Sequence, residues 1–186
     1  MRSRDTDKQQ RIKESMVKLI LEEGMSGASV AKIAKAAGVS PATIYVYYEN
    51  KEEMLAEVYK EYAQESYHYL QQMIRPEMDG AEFIDAIVRG YYAYSTEHME
   101  QFSFVEQCSQ CPTLQETVCV EDCCCGIYHM LHEFQRRGVI REYSDVNMMA
   151  VLFAPVKFLA MKRSAPEESR AQLDELVQMM QVLLLM

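Results

Sequence analysis

Long hydrophobic runs, tryptophan, glycine and proline are scarce or absent in this sequence. Its 186 residues include no Trp, 7 Gly and 5 Pro, so glycine and proline together reach about half of their usual share. The longest stretch without a charged side chain, from Ala36 to Tyr48, is shorter than the roughly 18 residues that a transmembrane helix needs. These absences disfavour turn-rich β architectures, and we expect no membrane partner.

The segment Met1 to Lys13 also lacks the apolar stretch of a secretory signal, because it is polar and charged. We therefore expect a cytoplasmic protein. What the chain does contain is 14 Met together with many Leu, Ala, Glu and Gln residues, all of which are strong helix formers. This composition predicts an all-α fold.

The charge is distributed unevenly along the chain. Residues 1 to 51 hold nine Lys and Arg against six Asp and Glu, a net +3, whereas residues 52 to 186 hold ten against twenty-two, a net −12. A basic N-terminal segment can approach a polyanion, and an acidic remainder stays in solvent. The overall charge of −9 hides this difference.

Helical spacing of apolar residues predicts about nine helices and no strand. The informative pair lies early in the chain, where Ser29 opens a short helix that ends at Gly38, and Ser40 followed by Pro41 opens a second short helix to about Tyr48. Two short helices joined by a three-residue turn predict a helix-turn-helix, whose second helix enters the major groove of DNA.

A long helix is predicted from Lys51 to about Ile74. The three helices before it are too small to bury much apolar surface alone. We therefore predict a helix-turn-helix DNA-binding domain over residues 1–50, followed by a larger helical body over residues 51–186.

The first of these segments resembles the tetracycline-repressor (TetR) family of bacterial transcriptional regulators. The resemblance covers about residues 8 to 58 and depends on the motif IAxxAGVSxxTIY, which begins at Ile33, on the aromatic pair Tyr47 and Tyr48, and on Lys51. A helix-turn-helix pattern by itself is a weak signal, but these features together are specific.

The resemblance implies a set of DNA-binding residues, and simple chemistry supports each role. Serine hydroxyls at helix starts suit phosphate oxygens, as do threonine and tyrosine hydroxyls, and a lysine adds positive charge. Small apolar side chains suit thymine methyl groups. The predicted residues are Ser29, Ser40, Pro41, Ala42, Thr43, Tyr45, Tyr47 and Lys51.

The second short helix departs from the usual chemistry of base reading. It contains no Arg, Lys, Asn or Gln, the side chains that bind guanine and adenine edges in a bidentate way, and Glu49 follows it. Specificity is therefore expected to rest on Thr43, the tyrosines, an arm containing Arg2 and Arg4, and DNA shape. In the alternative, the two short helices only pack against the rest of the protein and bind no DNA. That alternative does not explain why tyrosines stand close to Lys51.

For the body, the resemblance implies a ligand pocket and a dimer face made by the last two helices. The last helix carries an apolar stripe that includes Leu173, Leu176, Val177 and Met180, and periodicity cannot distinguish an internal core from a partner face. Dimerisation itself is expected because two half-sites one DNA turn apart require two DNA-binding domains.

Aromatic and polarisable side chains are concentrated in the middle of the chain and can line a mostly apolar cavity. As a set they favour an aromatic effector that is uncharged or cationic, although each of them can equally be a core residue with a solvated tip. The predicted ligand-binding residues are Tyr62, Tyr91, Tyr94, Met99, Phe102, Tyr128 and His129.

All six cysteines lie between Cys108 and Cys125, which raises the alternative of a metal- or thiol-redox-sensing repressor. Three of them are consecutive and point about 100° apart on a helix, so they cannot converge on one ion. We predict no metal site and no cofactor. A thiol enzyme using His129 or His132 as base is disfavoured, because no glycine-rich loop offers an oxyanion site.

The combined prediction is a ligand-responsive transcriptional regulator without enzymatic activity. As the resemblance implies, it is a repressor that binds a pseudo-palindromic operator in double-stranded DNA as a homodimer. A small-molecule effector releases it.

Overall fold

The computed structural model describes the backbone of residues 2–109, 111, 114, 120–162 and 165–186, and within these ranges the side chains of all residues except 2–4 and 120–125. The described ranges contain nine helices and no strand, which confirms the all-α prediction. The helices are α1 (Arg2–Gly27), α2 (Val30–Ala37), α3 (Pro41–Tyr47), α4 (Lys51–Met73), α5 (Gly80–Glu97), α6 (Met99–Cys108), α7 (Val120–Arg136), α8 (Asp145–Lys162) and α9 (Pro166–Leu184). The sequence also predicts a helix from Thr113 to Arg137, and the start of that helix at Thr113 lies outside the described residues.

Helix α1 contains one residue with a backbone that is not helical. Gly24 has φ 76° and ψ 171°, and the sequence predicts that the first helix ends at this glycine. Only glycine enters this region readily, because it has no Cβ. The helix therefore changes direction at Gly24 and resumes for one short turn before the buried Ala28.

The first of two compact units consists of Met1–Ala63 and Glu100–Cys123. Its core contains Ile12, Met16 and Ile20 from α1, which are fully buried. Helix α6 adds Phe104, whose ring meets that of Tyr62 edge-on with centroids 5.8 Å apart. The rows of apolar residues that predicted these helices are thus the rows that face the core.

The second unit consists of Gln64–Met99 and Cys124–Met186. Phe83 of α5 and Phe134 of α7 stack at its centre with ring centroids 3.8 Å apart, and both are buried. Arg89 of α5 bonds Asp85 one turn away and Asp174 of α9, each at 2.7 Å. Aromatic stacking and this ion pair hold α5 against α7 and α9.

The start of α5 is fixed by polar contacts and by one close backbone approach. Asp79 and Glu82 form a reciprocal capping box, and Arg137 donates to the carbonyl oxygens of Met78, at 2.8 Å, and of Pro76. A Cβ on Gly80 would lie 2.2 Å from the carbonyl oxygen of Val139. Only glycine permits the loop before α8 to pass this close to α5.

Helix α4 contributes residues to both compact units, since the boundary between them falls at residues 63 and 64. The predicted division into residues 1–50 and 51–186 concerns function rather than packing, and it stays a prediction. None of the described helices is both long and apolar enough to cross a bilayer.

Candidate nucleic-acid interface

The turn between α2 and α3 has the backbone that its residues predict. Gly38 is left-handed (φ 65°, ψ 37°), and its N–H and that of Val39 donate to the last carbonyls of α2. A residue with a Cβ is strained in this conformation, so glycine is required. Ser40 and Pro41 then start α3 directly after the turn.

Helix α3 has one buried side and one exposed side. Ile44 is 1% exposed and Tyr48, directly after the helix, is 3% exposed, so both anchor α3 in the first unit. Burial also raises the pKa of the Tyr48 phenol. On the opposite side Tyr45 is 57% and Val46 77% exposed, so this side of α3 faces solvent.

The predicted hydroxyl residues divide between capping and outward positions. The Ser29 hydroxyl oxygen accepts the N–H of Lys32 at 3.3 Å and that of Ser40 accepts the N–H of Thr43 at 3.2 Å, so both serines are N-caps. Thr43 is half-buried, and its hydroxyl lies 2.9 Å from that of Ser40. Pro41 and Ala42 are exposed at the start of α3.

Tyr47 is half-buried, and its hydroxyl has a partner that the sequence did not indicate. It donates a hydrogen bond to the carboxylate of Asp5 in the first turn of α1, with an oxygen to oxygen distance of 2.7 Å. This bond is the main reason why the pKa of Tyr47 is raised, since it stabilises the protonated phenol. Residues 42 positions apart carry no local sequence signal of such a contact.

Lys51, which the resemblance assigns to the DNA backbone, makes an internal contact. It is half-buried, and its Nζ donates to the carbonyl oxygen of Met25 at 2.6 Å. The neighbouring Asn50 caps α4, because its Oδ1 accepts the N–H of Glu53 at 2.7 Å. Lys51 therefore connects the start of α4 with the last turn of α1.

Further cations of the first unit lie close to the turn. Lys32 is paired with Glu23 at 2.5 Å, whereas Lys35 at the end of α2 and Arg11 of α1 are exposed. The guanidinium of Arg11 lies 3.8 Å from where a Cβ on Gly38 would stand, so it is beside the turn. The side chains of Arg2 and Arg4, the predicted arm, lie outside the described residues.

The seven predicted ligand-binding residues are not all in one unit. Tyr62 and Phe102 belong to the first unit and both are buried. In the second unit, Tyr91 packs edge-on against Phe153 and Tyr94 stacks on His98, with centroids 4.8 Å and 4.9 Å apart. The remaining three are in the second unit, where Met99 and Tyr128 are half-buried and His129 is exposed.

Two of the six cysteines have described side chains. Cys108 is buried, and this burial raises the pKa of its thiol to about 12, which makes a thiolate rare at neutral pH. Cys111 is half-buried three residues further on. Cys119, Cys123, Cys124 and Cys125, on which the metal- or thiol-sensing alternative also depends, lie outside the described side chains.

Comparisons with known proteins show which family the N-terminal segment is similar to. The family model described as bacterial regulatory proteins, tetR family, matches residues 14–58. A fatty acid metabolism regulator protein of Bacillus subtilis (strain 168) is 30% identical over 86 residues, which are 46% of this chain and 44% of that protein. The matched segment is thus less than half of that relative.

Two solved structures extend the likeness to the fold of nearly the whole chain. A TetR family transcription regulator from Marinobacter aquaeolei VT8 has a TM-score of 0.79 and 23% identity, with 96% of this chain and 97% of that chain covered. The transcriptional regulator FadR from Bacillus subtilis in complex with stearoyl-CoA has a TM-score of 0.69 and 22% identity, with 90% and 97% covered.

Proposed function

We propose that this chain, whose residues 14–58 match the model of the tetR family of bacterial regulatory proteins, is a transcriptional regulator of that family, and that it acts as a cytoplasmic repressor that binds a pseudo-palindromic operator as a homodimer. We assign DNA binding to residues 1–50, and effector binding and dimerisation to residues 51–186. A small molecule that binds the DNA-free conformation more tightly than the DNA-bound one releases the operator.

The single observation that carries this proposal is the exposed side of α3. The side chains of Tyr45 and Val46 are exposed, whereas those of Ile44 and Tyr48 are buried and anchor the helix. Helix α3 therefore presents a surface of hydroxyl and methyl groups. Such groups suit phosphate oxygens and the methyl group of thymine. A helix that had only a packing role would expose polar side chains here.

The dimer face is proposed on α8 and α9. Leu173, Val177, Met180 and Leu184 of α9 are buried in the second unit, so one side of this helix is core. The other side exposes apolar side chains, which a soluble monomer rarely does over a continuous area. The exposed apolar residues of α8 and α9 are Val146, Phe158, Met161, Met179, Val182 and Leu183.

We propose an uncharged or cationic aromatic molecule as the effector. The support is the set of tyrosines with neighbouring rings in the second unit, where Tyr69 and Tyr94 lie 5.5 Å apart and the Tyr69 hydroxyl donates to Glu97 at 2.9 Å. Tyrosine rings attract cations through their faces, and a nearby carboxylate adds to this attraction.

A long-chain acyl-CoA is a second candidate effector, favoured by the solved relative in complex with stearoyl-CoA. The phosphates of such a ligand need free cations, and many cations of the second unit are already bound to oxygen atoms. These are Arg75 with Glu77, Arg89 with Asp85 and Asp174, Arg136 with Glu133, Arg137 with Met78, Arg141 with Leu185, and Lys162 with Glu168. We give the first candidate priority because the tyrosine rings beside Glu97 are present in this chain.

A release experiment distinguishes the two effectors. The protein is bound to a fluorescent operator duplex, and a quaternary ammonium dye or stearoyl-CoA is titrated while the anisotropy is recorded. Saturable release by the dye, with none by stearoyl-CoA, supports the aromatic or cationic class. Release by stearoyl-CoA alone overturns it.

Thr43 and Lys51 are expected to have different effects on DNA binding. Lys51→Ala removes one cation, so it should weaken all duplexes alike and reduce the slope of log K against log salt by about 0.9. Thr43→Ala should change the preference between sequences, by about 1 kcal/mol at the contacted base pair. Anisotropy titrations on the operator and on single base-pair variants measure both effects.

Thr43→Ser is the matched control, because it keeps the hydroxyl next to Ser40 and loses only the methyl group. If the hydroxyl reads a base, serine retains the wild-type sequence preference. An equal loss of affinity on every duplex with Thr43→Ala contradicts the assignment of base reading to Thr43.

A further inference from the structure

The contact between Asp5 and Tyr47 joins the first turn of α1 to the last turn of α3 within the first unit. The Tyr47 hydroxyl donates to Oδ1 of Asp5 at 2.7 Å and lies 3.5 Å from the carbonyl oxygen of the same residue. Asp5 is exposed, so the contact is at the surface of the unit. DNA binding as described above gives this carboxylate no role.

A carboxylate and a phosphate compete for the hydroxyl proton of Tyr47. The phenol has a single O–H to donate, and both groups are anionic acceptors of similar chemistry. While the Tyr47 hydroxyl donates to Asp5, it cannot donate to a phosphate, and the negative charge of the Asp5 carboxylate repels a phosphate that approaches. A DNA phosphate can accept this hydrogen bond only after the carboxylate has moved away.

We propose that Asp5 is an internal competitor of DNA, which holds the Tyr47 hydroxyl in the DNA-free protein and thereby lowers affinity for the phosphate backbone. This inference rests on the proposed DNA-binding function and assigns to it a regulating residue outside the helix-turn-helix. The raised pKa of Tyr47, caused mainly by its bond to Asp5, agrees with a phenol that keeps its proton and donates it to the carboxylate.

Lys51, the cation that the resemblance assigns to DNA, makes a different contact. It donates to the carbonyl oxygen of Met25 at 2.6 Å, so one of its N–H groups is occupied at the end of α1 while its positive charge remains. Removal of the Asp5 carboxylate should free a donor at Tyr47 and remove a repulsive charge together. A free Tyr47 hydroxyl binds phosphate without a prior rearrangement.

The test is a double-mutant cycle on DNA affinity with the full chain. Asp5→Ala is expected to bind an operator duplex about two- to fivefold more tightly than wild type, the range of an exposed charge pair, and Asp5→Asn is expected to show a smaller gain, because its amide oxygen still accepts the hydroxyl but carries no charge. Most of this gain should disappear when Tyr47→Phe is also present, because phenylalanine lacks the hydroxyl for which Asp5 and the phosphate compete. Asp5→Asn has nearly the shape of aspartate and guards against effects of Asp5→Ala on α1.

Asp7→Ala is the matched control, since Asp7 is an exposed acid on the same helix and its loss changes the net charge equally. A gain for Asp5→Ala no larger than that for Asp7→Ala reduces the effect to general electrostatics and overturns the proposal. A gain that persists fully with Tyr47→Phe, or a loss of affinity in both Asp5 variants, overturns it as well.

A second readout separates this inference from the function on which it rests. In protein labelled with ¹³C at the tyrosine ring carbon next to the hydroxyl, Tyr47→Phe identifies the Tyr47 signal, and its titration should move to lower pH in Asp5→Ala. If the signal moves while DNA affinity stays at the wild-type value, the contact exists without competition and the proposal is wrong. If wild type and variants bind no duplex at all, the proposed function fails and this inference fails with it.

Discussion

Met179→Asp is expected to convert the protein from a dimer to a monomer and to weaken operator binding at least about a hundredfold. Met179 is 62% exposed on α9 and lines an apolar groove of about 260 Å³ with Pro155, Phe158 and Leu176. In a dimer formed by this face the new carboxylate would be buried without a partner, which costs several kcal/mol. The inward side of α9 is untouched, so the fold of the chain should persist.

Operator affinity should fall when the dimer dissociates, because one DNA-binding domain contacts only one half-site. A dimer places two DNA-binding domains on one duplex, so the second contact forms at high effective concentration, whereas two monomers bind independently. Sedimentation equilibrium measures the association and anisotropy measures the DNA affinity.

Tyr143→Asp is the control for the dimer experiment, since Tyr143 is 40% exposed and precedes α8. It should leave both measurements near wild type. A Met179→Asp protein that remains dimeric shows that the partner face is elsewhere and contradicts the assignment to α8 and α9.

Phe134→Ala is expected to have the largest effect on stability. Its ring stacks on Phe83 at 3.8 Å between centroids, and the guanidinium of Arg137 lies 4.8 Å from its centroid. Removing a buried ring of this size leaves a cavity and costs about 3 to 5 kcal/mol of unfolding free energy. Because Arg137 also bonds Met78 at the start of α5, the loss should spread to that connection.

Urea unfolding at one fixed protein concentration measures this loss, and thermal unfolding should show a decrease of about 6 to 20 °C. The fixed concentration matters because the stability of a dimer depends on it. Tyr143→Ala, an aromatic side chain that is partly exposed, should change stability by less than about 0.5 kcal/mol. Equal losses for the two variants contradict the central position of the stacked pair.

Local signals in the sequence were sufficient for the helix-turn-helix. Gly38, Ser40 and Pro41 each act within a few residues of their own position, through a left-handed backbone, an N-cap and a fixed φ. These physical effects do not depend on the rest of the chain, so they can be read without a structure.

Long-range contacts could not be predicted in this way. The apolar stripe of α9 contains buried residues, such as Leu173 and Val177, and the half-buried Leu176, because packing against α5 selects one side. The Asp5 to Tyr47 bond and the Lys51 to Met25 bond join residues that are far apart in the chain. Periodicity specifies a face but not its neighbour.

The predicted ligand-binding residues show even more clearly that a sequence pattern does not specify which groups a side chain contacts. Tyrosine has both a hydrophobic ring and a polar tip, so its occurrence is compatible with a core and with a pocket. Tyr91 and Tyr94 are buried against other rings, whereas His129 is exposed. Their roles in ligand binding remain predictions, which the release experiment with the dye and stearoyl-CoA addresses.

The most direct test of DNA recognition is selection of randomised duplex DNA by the purified full chain under reducing conditions, followed by a salt titration on the enriched sequences. A dimeric operator-binding protein is expected to select a consensus with two-fold symmetry and half-sites about one DNA turn apart, and to bind it with an affinity that decreases steeply with salt. No enrichment by a protein shown to be folded, dimeric and free of bound ligand would contradict the proposed function.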